Sequence, residues 1–250
     1  MKYIDKAKAV RATGMTYLGG LTKSVKHLKA LKFGEFTYSL YLAPANTSGY
    51  EVCPGRTPEC TMFCLNESGM NTMTRNDKGD VINSCRINKT KLFFEHREFF
   101  MDWMIAEIQA GIRKANKWGY AFSIRINNTS DISPEEFHRN GQNILEMFPE
   151  VQFYDYTKVA SRIHLMEKYP NYNVTFSYTG YNLKQCLQML QNKIKVAVVF
   201  KEVPKEFWGY QVIDGDLNDL RYKDSAGVIV GLKYKRVRTK LINNIKFVVQ

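Results

Sequence analysis

The sequence predicts an α/β fold, a single-domain full or partial (β/α) barrel-like structure with a cysteine-rich loop after its first strand. Short runs of apolar, β-branched and aromatic residues alternate with longer amphipathic segments. The connections between the early runs are long enough to hold a helix, as parallel strands require. Polar residues follow the ends of these runs, where parallel α/β folds carry their sites. A doubly wound open sheet is the alternative.

Each element is predicted from the local spacing of apolar residues and from the residues that favour helix ends and turns. Strands are predicted at 36–42, 121–126, 151–156, 173–178, 194–200, 211–214 and 227–232. Helices are predicted at 24–31, 88–117, 133–147, 160–168 and 183–191. The helix at 88–117 rests on apolar residues that recur at about 3.6-residue spacing. The helix at 133–147 rests on Asp131 or Ser133 as an N-cap and Pro134 in the first turn.

The chain of 250 residues fits one large domain, and we divide it into a basic N-terminal arm at 1–34 and a barrel-like domain at 35–250. The N-terminus has charge but no apolar segment of a signal peptide. No stretch approaches the roughly 20 apolar residues of a membrane span. We therefore expect a cytoplasmic protein with no membrane partner.

The net charge is +12, from 36 Lys and Arg against 24 Asp and Glu. This excess suggests nucleic acid or a nucleotide as partner, although many basic proteins bind nothing acidic. Basic residues with interleaved aromatics recur at 86–97 and 233–240, and either group is a phosphate-binding surface or a solvated face. The motifs of common hydrolases, NTPases and dehydrogenases are absent from the sequence, so those classes lack support.

Three cysteines, Cys53, Cys60 and Cys64, fall within twelve residues after the first predicted strand. In a cytoplasmic protein such thiols hold a metal or a cluster more often than a disulfide. We rank a [4Fe–4S] cluster above zinc, because six residues between the first two cysteines exceed the usual zinc spacing. Cys85 as a fourth ligand would close the site around zinc or an electron-transfer cluster. Cys186, predicted within a helix, reads as a buried thiol.

Polar residues at the predicted strand ends should converge on one rim if the strands are parallel and adjacent. We predict that these residues bind a cofactor or substrate: Asn127, Asn128, Ser130, Asp131, Asp155, Lys158, Ser177, Asn182, Asp214 and Asp216. Asp214 and Asp216, with Asp219, also resemble a carboxylate metal site. An acidic turn around Gly215 is the preferred interpretation of those three.

Three cysteines after the first strand of a partial barrel resemble the layout of radical S-adenosylmethionine enzymes. That resemblance implies a [4Fe–4S] cluster with three cysteine-bound irons and a fourth iron that binds S-adenosylmethionine. The motif departs from the superfamily: the spacing is C-x6-C-x3-C rather than C-x3-C-x2-C, and 127–131 stands in place of its Gly-Gly-Glu. These departures weigh more against S-adenosylmethionine binding than against the cluster.

A second resemblance extends over most of the chain. The residues that carry it are Tyr41-Leu42-Ala43-Pro44, Cys53-Pro54, Cys60 and Cys64-Leu65; Lys89-Thr90 with Leu92-Phe93-Phe94; Asn128-Thr129-Ser130-Asp131; Phe153-Tyr154-Asp155-Tyr156-Thr157-Lys158; and Asp214-Gly215-Asp216 with Asp219 and Arg221. In these the chain resembles the bacteriophage gene product 88 family. The resemblance implies a phage-encoded protein in the host cytoplasm and brings no reaction with it.

Two functional hypotheses follow. The first is an iron–sulfur enzyme of radical S-adenosylmethionine type that acts on a nucleotide or nucleic acid. The second is a non-catalytic nucleic-acid-binding protein stabilised by a four-cysteine zinc or iron–sulfur site that includes Cys85. Binding to a host protein is a third possibility that no sequence feature tests.

Overall fold

The computed structural model describes residues 6–21, 25–64, 75–76, 79–235 and 245–250, and a mostly parallel sheet forms its centre. The strands are β1 (Gly19–Gly20), β2 (Glu35–Leu40), β3 (Arg75–Asn76), β4 (Gly79–Asp80), β5 (Ala121–Arg125), β6 (His138–Arg139), β7 (Gln142–Asn143), β8 (Gln152–Thr157), β9 (Tyr172–Ser177), β10 (Val196–Phe200), β11 (Glu206–Phe207), β12 (Tyr210–Asp214), β13 (Ile229–Lys233) and β14 (Val248–Val249).

The sheet order is β1-β2-β5-β8-β9-β10-β13-β12-β11, and β14 also pairs with β10. Strands β2, β5, β8, β9, β10, β13 and β12 are mutually parallel, whereas β1 and β11 pair antiparallel at the two ends. The parallel strands match the runs predicted from the sequence, so the α/β class is confirmed. Among the described strands the order does not return from β11 to β1, and closure of a barrel is not shown.

The helices are α1 (Lys6–Thr13), α2 (Val25–Leu31), α3 (Pro58–Met62), α4 (Val81–Glu95), α5 (Arg97–Trp118), α6 (Ile144–Met147), α7 (Leu165–Lys168) and α8 (Leu183–Gln191). Short 3-10 turns occur at Pro134–Glu136, Ala160–His164 and Arg221–Lys223. In the described part of the chain no helix has the length and apolarity needed to cross a bilayer.

Three of the predicted helices differ in the structure, and the one at 160–168 is a five-residue 3-10 turn followed by the four-residue α7. The single helix at 88–117 is two helices, because His96 has φ −136° and ψ 55° and separates α4 from α5. The helix at 133–147 is wrong: a 3-10 turn and the hairpin β6–β7 precede the four-residue α6. Asn140 and Gly141 have positive φ, 52° and 80°, which is the geometry of a tight hairpin turn.

The two faces of the sheet differ in chemistry. Alternate residues of β2, β5 and β8, such as Tyr38, Ile124 and Phe153, are buried in a core cluster that includes Trp103 and Met104 of α5. On the intervening positions the strands carry buried polar residues, among them Thr37, Ser39, Ser123, Arg125 and Thr175. Period-two alternation therefore separates an apolar helix-covered face from a polar one.

Residues 216–224, the inner segment, lie along this polar face. Asp219 pairs with Arg125, and the Tyr222 hydroxyl donates to the buried Glu35 carboxylate. The Tyr154 and Tyr222 rings lie 5.5 Å apart between centroids. The inner segment thus connects the carboxyl ends of the strands to their amino ends and covers part of the polar face with paired charges.

The N-terminal residues also join the main core. Ala9, Met15 and Leu18 are buried in the cluster that α5 contributes to, and the Lys89 ammonium donates to the Leu18 carbonyl at 2.6 Å. The division of the chain at residue 34 stays a prediction.

Candidate functional site

A cavity of about 210 Å³ lies over the carboxyl ends of the parallel strands. Its walls come from the loop after β2, the ends of β5, β8, β9, β10 and β13, and Phe247 just before β14. The sequence placed the candidate site at this rim, and the structure gathers residues from six strand ends around one space.

Cys53, Cys60 and Cys64 all line this cavity, and each is a half-buried thiol that forms no disulfide among the described residues. They follow β2 across a loop and the short helix α3. Thr57 caps α3 because its hydroxyl accepts a hydrogen bond from the Cys60 N–H at 3.1 Å. Proline at the first helical position further fixes the start of α3.

The cysteine loop packs closely against the end of β8 at Gly55. A Cβ atom on Gly55 would lie 2.9 Å from the Lys158 Cβ and 3.0 Å from its carbonyl carbon. Only glycine permits this approach, so the residue type at 55 sets how near the cysteines come to Lys158.

The Cys53 thiol is held by backbone groups from two loops. It accepts from the Ala45 N–H at 3.5 Å and donates to the Thr129 carbonyl at 3.8 Å. Burial raises the pKa of Cys53 to about 12, so the free thiol keeps its proton. A metal bound here must displace that proton.

Lys158 places a positive charge beside the cysteines. Burial alone would lower its pKa, but Cys60, Asp131 and Cys53 lie near enough to raise it, and Cys60 also shares a hydrogen bond with the side chain. The ammonium therefore stays charged and favours anionic sulfur at this wall.

Asp131 connects the cysteine loop to β8. Its carboxylate accepts from the Thr157 hydroxyl and the Lys158 N–H, both at 2.8 Å, and pairs with the buried Arg162. Its own N–H donates to the Val52 carbonyl at 2.7 Å. Because Val52 precedes Cys53, one residue couples the loop that carries the thiols to the strand that carries Lys158.

Asn127 and Asp155 form a second polar pair below the cavity. The Asn127 backbone N–H donates to Asp155 Oδ1 at 3.0 Å, and its side-chain amide donates to Asp155 Oδ2 at 2.9 Å. The Ser130 hydroxyl donates to Asn127 Oδ1 at 2.7 Å. Asp155 is fully buried and supports the rim without lining the cavity.

Asp155 gives the protein a predicted pH dependence. Burial raises the pKa of Asp155 to about 6 although Arg162 opposes the shift, so the folded state binds this proton more tightly than the unfolded chain. The stabilisation that protonated Asp155 gives the folded state is therefore complete below about pH 4 and is lost as the pH rises through about 6.

We expect the difference in unfolding free energy between wild type and Asp155→Asn to fall by on the order of 3 kcal/mol between pH 4 and pH 7. Urea unfolding at several pH values measures this difference. A constant difference over the whole range would contradict the shift.

The predicted site residues divide into two groups. Those that line the cavity are Cys53, Cys60, Cys64, Asn127, Asn128, Ser130, Asp131, Lys158, Ser177 and Asp216. Those placed elsewhere are Cys85, Asp155, Asn182 and Asp214. Asn182 accepts from the Thr179 N–H and donates to the Ser177 carbonyl, so it shapes the loop after β9.

The acidic residues after β12 serve as charge partners. Asp216 accepts from the Lys233 N–H at 2.9 Å and pairs with Lys235, whereas Asp219 pairs with Arg125. Over the described ranges no group of three or more His, Cys, Asp or Glu is arranged to hold one metal ion. The acidic-turn interpretation of these residues is the one that the contacts favour.

Several lining residues escaped the sequence prediction. They are Arg56, Phe63, Arg125, Tyr156, Tyr178, Tyr234 and Phe247, among others. The sequence placed Arg125, Tyr156 and Tyr178 in the polar clusters at predicted strand ends and Tyr234 in a basic aromatic cluster, but none of them was predicted to bind a ligand in this cavity. Phe247 carried no such signal, because its place depends on the pairing of β14 with β10.

The two basic clusters predicted from the sequence differ in their exposure. Arg86 and Lys89 are buried in α4 and do not form an exposed phosphate-binding surface. Lys233 and Lys235 are exposed at the cavity, whereas Arg236, Arg238 and Lys240 lie outside the described residues.

Comparison with known families decides the relationship of the chain. The model of the family described as Gene product 88 matches residues 6–249. The chain belongs to the bacteriophage gene product 88 family. Neither a curated protein nor a solved structure matches it.

Several of the segments that carried the resemblance to the gene product 88 family meet at the cavity. The three cysteines, the run 128–131, Lys158 and Asp216 line the same cavity, and Asp155 lies directly below it. These segments are far apart in the sequence, so the fold of this gene product 88 protein assembles them at the carboxyl edge of the sheet.

Proposed function

We propose that this gene product 88 protein binds a [4Fe–4S] cluster through Cys53, Cys60 and Cys64 and performs radical S-adenosylmethionine-type chemistry on a nucleotide or nucleic acid. The observation that supports it best is that three cysteine thiols line one cavity at the carboxyl ends of parallel strands. This is where α/β folds carry their active sites.

The spacing of the cysteines favours a cluster over a single zinc ion, because six residues separate Cys53 from Cys60. The three cysteines line one cavity, although the described residues contain no group of three or more His, Cys, Asp or Glu arranged to hold one metal ion. A bound cluster with three protein thiolates supplies one-electron reduction and leaves one iron open to a small ligand.

The chain's own residues have separate tasks in this proposal. Lys158 donates toward Cys60 and supplies positive charge that offsets the charge of the thiolates. Asp131 holds the cysteine loop against β8 through its bonds to Thr157 and the Lys158 N–H. Ser130 lines the cavity with a hydroxyl oxygen that can accept from a cofactor or substrate, and Asn127 holds that hydroxyl in place.

A four-cysteine site in a nucleic-acid-binding protein is the second candidate, and one observation favours it. Burial lowers the pKa of Arg86, and both Cys64 and Cys85 lie close enough to oppose that effect. The two cysteines therefore flank the same arginine, although Cys85 does not line the cavity. The nucleic-acid partner is suggested by the charge of +12.

The test is iron, sulfide and visible absorbance of protein purified without oxygen. We expect about four irons and four sulfides per chain. We expect both to be lost in the variant that carries Cys53→Ser, Cys60→Ser and Cys64→Ser. Cys186→Ser is the matched control, since that thiol is fully buried away from the cavity.

Cys85→Ser separates the two candidates. An open three-cysteine cluster keeps its iron in this variant, whereas a four-cysteine site loses metal. One zinc per wild-type chain with no iron would refute the cluster proposal. Reductive cleavage of S-adenosylmethionine by the iron-loaded protein then tests the radical reaction.

A further inference from the structure

The cavity has two chemically different halves, because the strand order separates them. The end of β5 and the end of β8 supply polar residues, among them 127–131 and Lys158. On the other side of β9, strands β10 and β13 supply Ala197, Val199 and Leu232. A ligand in this cavity therefore meets hydrogen-bonding groups on one side and hydrocarbon on the other.

The apolar half differs from the rest of the polar face of the sheet. On β2, β5 and β9 that face carries Thr37, Ser123 and Thr175. On β10 it carries Ala197 and Val199, and both line the cavity. An apolar wall on an otherwise polar face gains free energy when an apolar group covers it.

Aromatic side chains surround this apolar half. Tyr178, Tyr234, Phe63 and Phe247 all line the cavity. Phe63 and Tyr234 meet edge to face, with ring centroids 6.1 Å apart and an interplanar angle of 76°. Such rings favour a planar aromatic ligand, since stacking adds to the area buried.

The position of Phe247 in this wall is fixed by contacts with α3. The Glu59 carboxylate of α3 accepts from the Phe247 N–H at 2.8 Å and from the Tyr181 hydroxyl at 2.6 Å. The C-terminal strand, the loop after β9 and α3 are thus joined through one side chain. The aromatic wall and the cysteines therefore have a fixed relative position.

Positive charge lies where the apolar half opens. Lys233 and Lys235 follow Leu232 at the end of β13, line the cavity and are exposed. Lys235 Nζ lies 3.3 Å from Asp216 Oδ1, whereas Lys233 contacts the same carboxylate only through its backbone N–H. Among the described residues the Lys233 ammonium forms no ion pair, so an anionic group beside the aromatic wall would complete the charge balance.

We infer that the apolar half of the cavity binds a single mononucleotide, with its base against Val199 and Leu232 and its phosphate at Lys233 and Lys235. The volume of about 210 Å³ belongs to the whole cavity, so the heterocyclic base takes the apolar half and the sugar and phosphate lie toward the mouth. The inference that a mononucleotide binds rests on the cavity alone. Only the assignment of this nucleotide as the substrate rests on the proposed function.

The experiment is calorimetric titration of the protein with AMP, GMP, CMP and UMP, with the matching nucleosides and inorganic phosphate as separate probes. We expect saturable binding of at least one monophosphate. Val199→Phe fills the apolar half and should weaken that binding at least tenfold. The unfolding midpoint of this variant shows whether it remains folded.

The double variant Lys233→Gln/Lys235→Gln tests the phosphate contact without a change in the core. It should weaken the monophosphate about tenfold and leave the nucleoside affinity unchanged. Lys205→Gln is the control, because Lys205 is exposed and does not line the cavity. An equal loss of nucleoside and nucleotide affinity would refute the phosphate assignment.

The inference is overturned if none of the four monophosphates binds saturably, or if Val199→Phe binds as well as wild type. It is also overturned if a single-stranded oligonucleotide displaces the monophosphate and binds far more tightly. The same titration on the triple cysteine-to-serine variant separates the two proposals. Nucleotide binding without iron supports this inference alone, and iron without nucleotide binding supports the proposed cluster alone.

Discussion

Asp219→Ala is expected to lower the free energy of unfolding by about 3–5 kcal/mol. Asp219 pairs with Arg125, and the two side chains are only 7% and 6% exposed. Burial is the largest single effect and lowers the pKa of Arg125, but Asp219 and the other nearby acidic groups together raise it above its usual value, so the guanidinium remains charged over the Tyr156 ring. Removal of the carboxylate leaves this charge buried without its main partner.

Denaturant unfolding of the single and double variants measures this effect. Arg125→Met/Asp219→Leu should recover much of the lost stability, because neither charge is then left alone. Asp214→Ala is the matched control, since Asp214 is exposed and, among the described residues, accepts a single local bond from the Asp216 N–H. A single Asp219→Ala variant as stable as the control would contradict a buried, energetically coupled pair.

Asp131→Ala is expected to cost a similar amount, about 3–5 kcal/mol, and also to disturb the cysteine loop. The carboxylate is the main ion-pair partner of the buried Arg162 and accepts from Thr157 and the Lys158 N–H. Without it, Arg162 keeps only the more distant Asp155, at 3.7 Å, and the Tyr172 hydroxyl. The loop that follows Val52 then loses its anchor on β8.

The stability and the iron content of this variant should fall together if Asp131 positions the thiols. Asn128→Ala serves as its control, because Asn128 lines the same cavity but its side chain donates only to the Arg125 carbonyl, at 3.3 Å. A large loss of stability with full iron content would show that Asp131 stabilises the fold without positioning the cysteines.

The sequence by itself determined the parallel strands, because each is a short run whose β-branched and aromatic residues favour extended backbone locally. It also determined the clustering of Cys53, Cys60 and Cys64 and the polar strand ends, since these depend only on residue type and chain order. The rim of the site was predictable for the same reason: parallel strands bring their carboxyl ends to one edge.

Only the tertiary structure decided the rest. Asn140-Gly141 makes a hairpin turn where polar and apolar spacing alone suggested a helix, and His96 breaks a pattern that continues across it. Strand β13 enters the sheet before β12, and Phe247 joins the cavity through a strand distant in sequence. The pairing of Arg125 with Asp219 likewise requires the inner segment to cross the polar face of the sheet. Each of these depends on contacts between distant parts of the chain, whose energies are set by how the elements pack and not by local propensity.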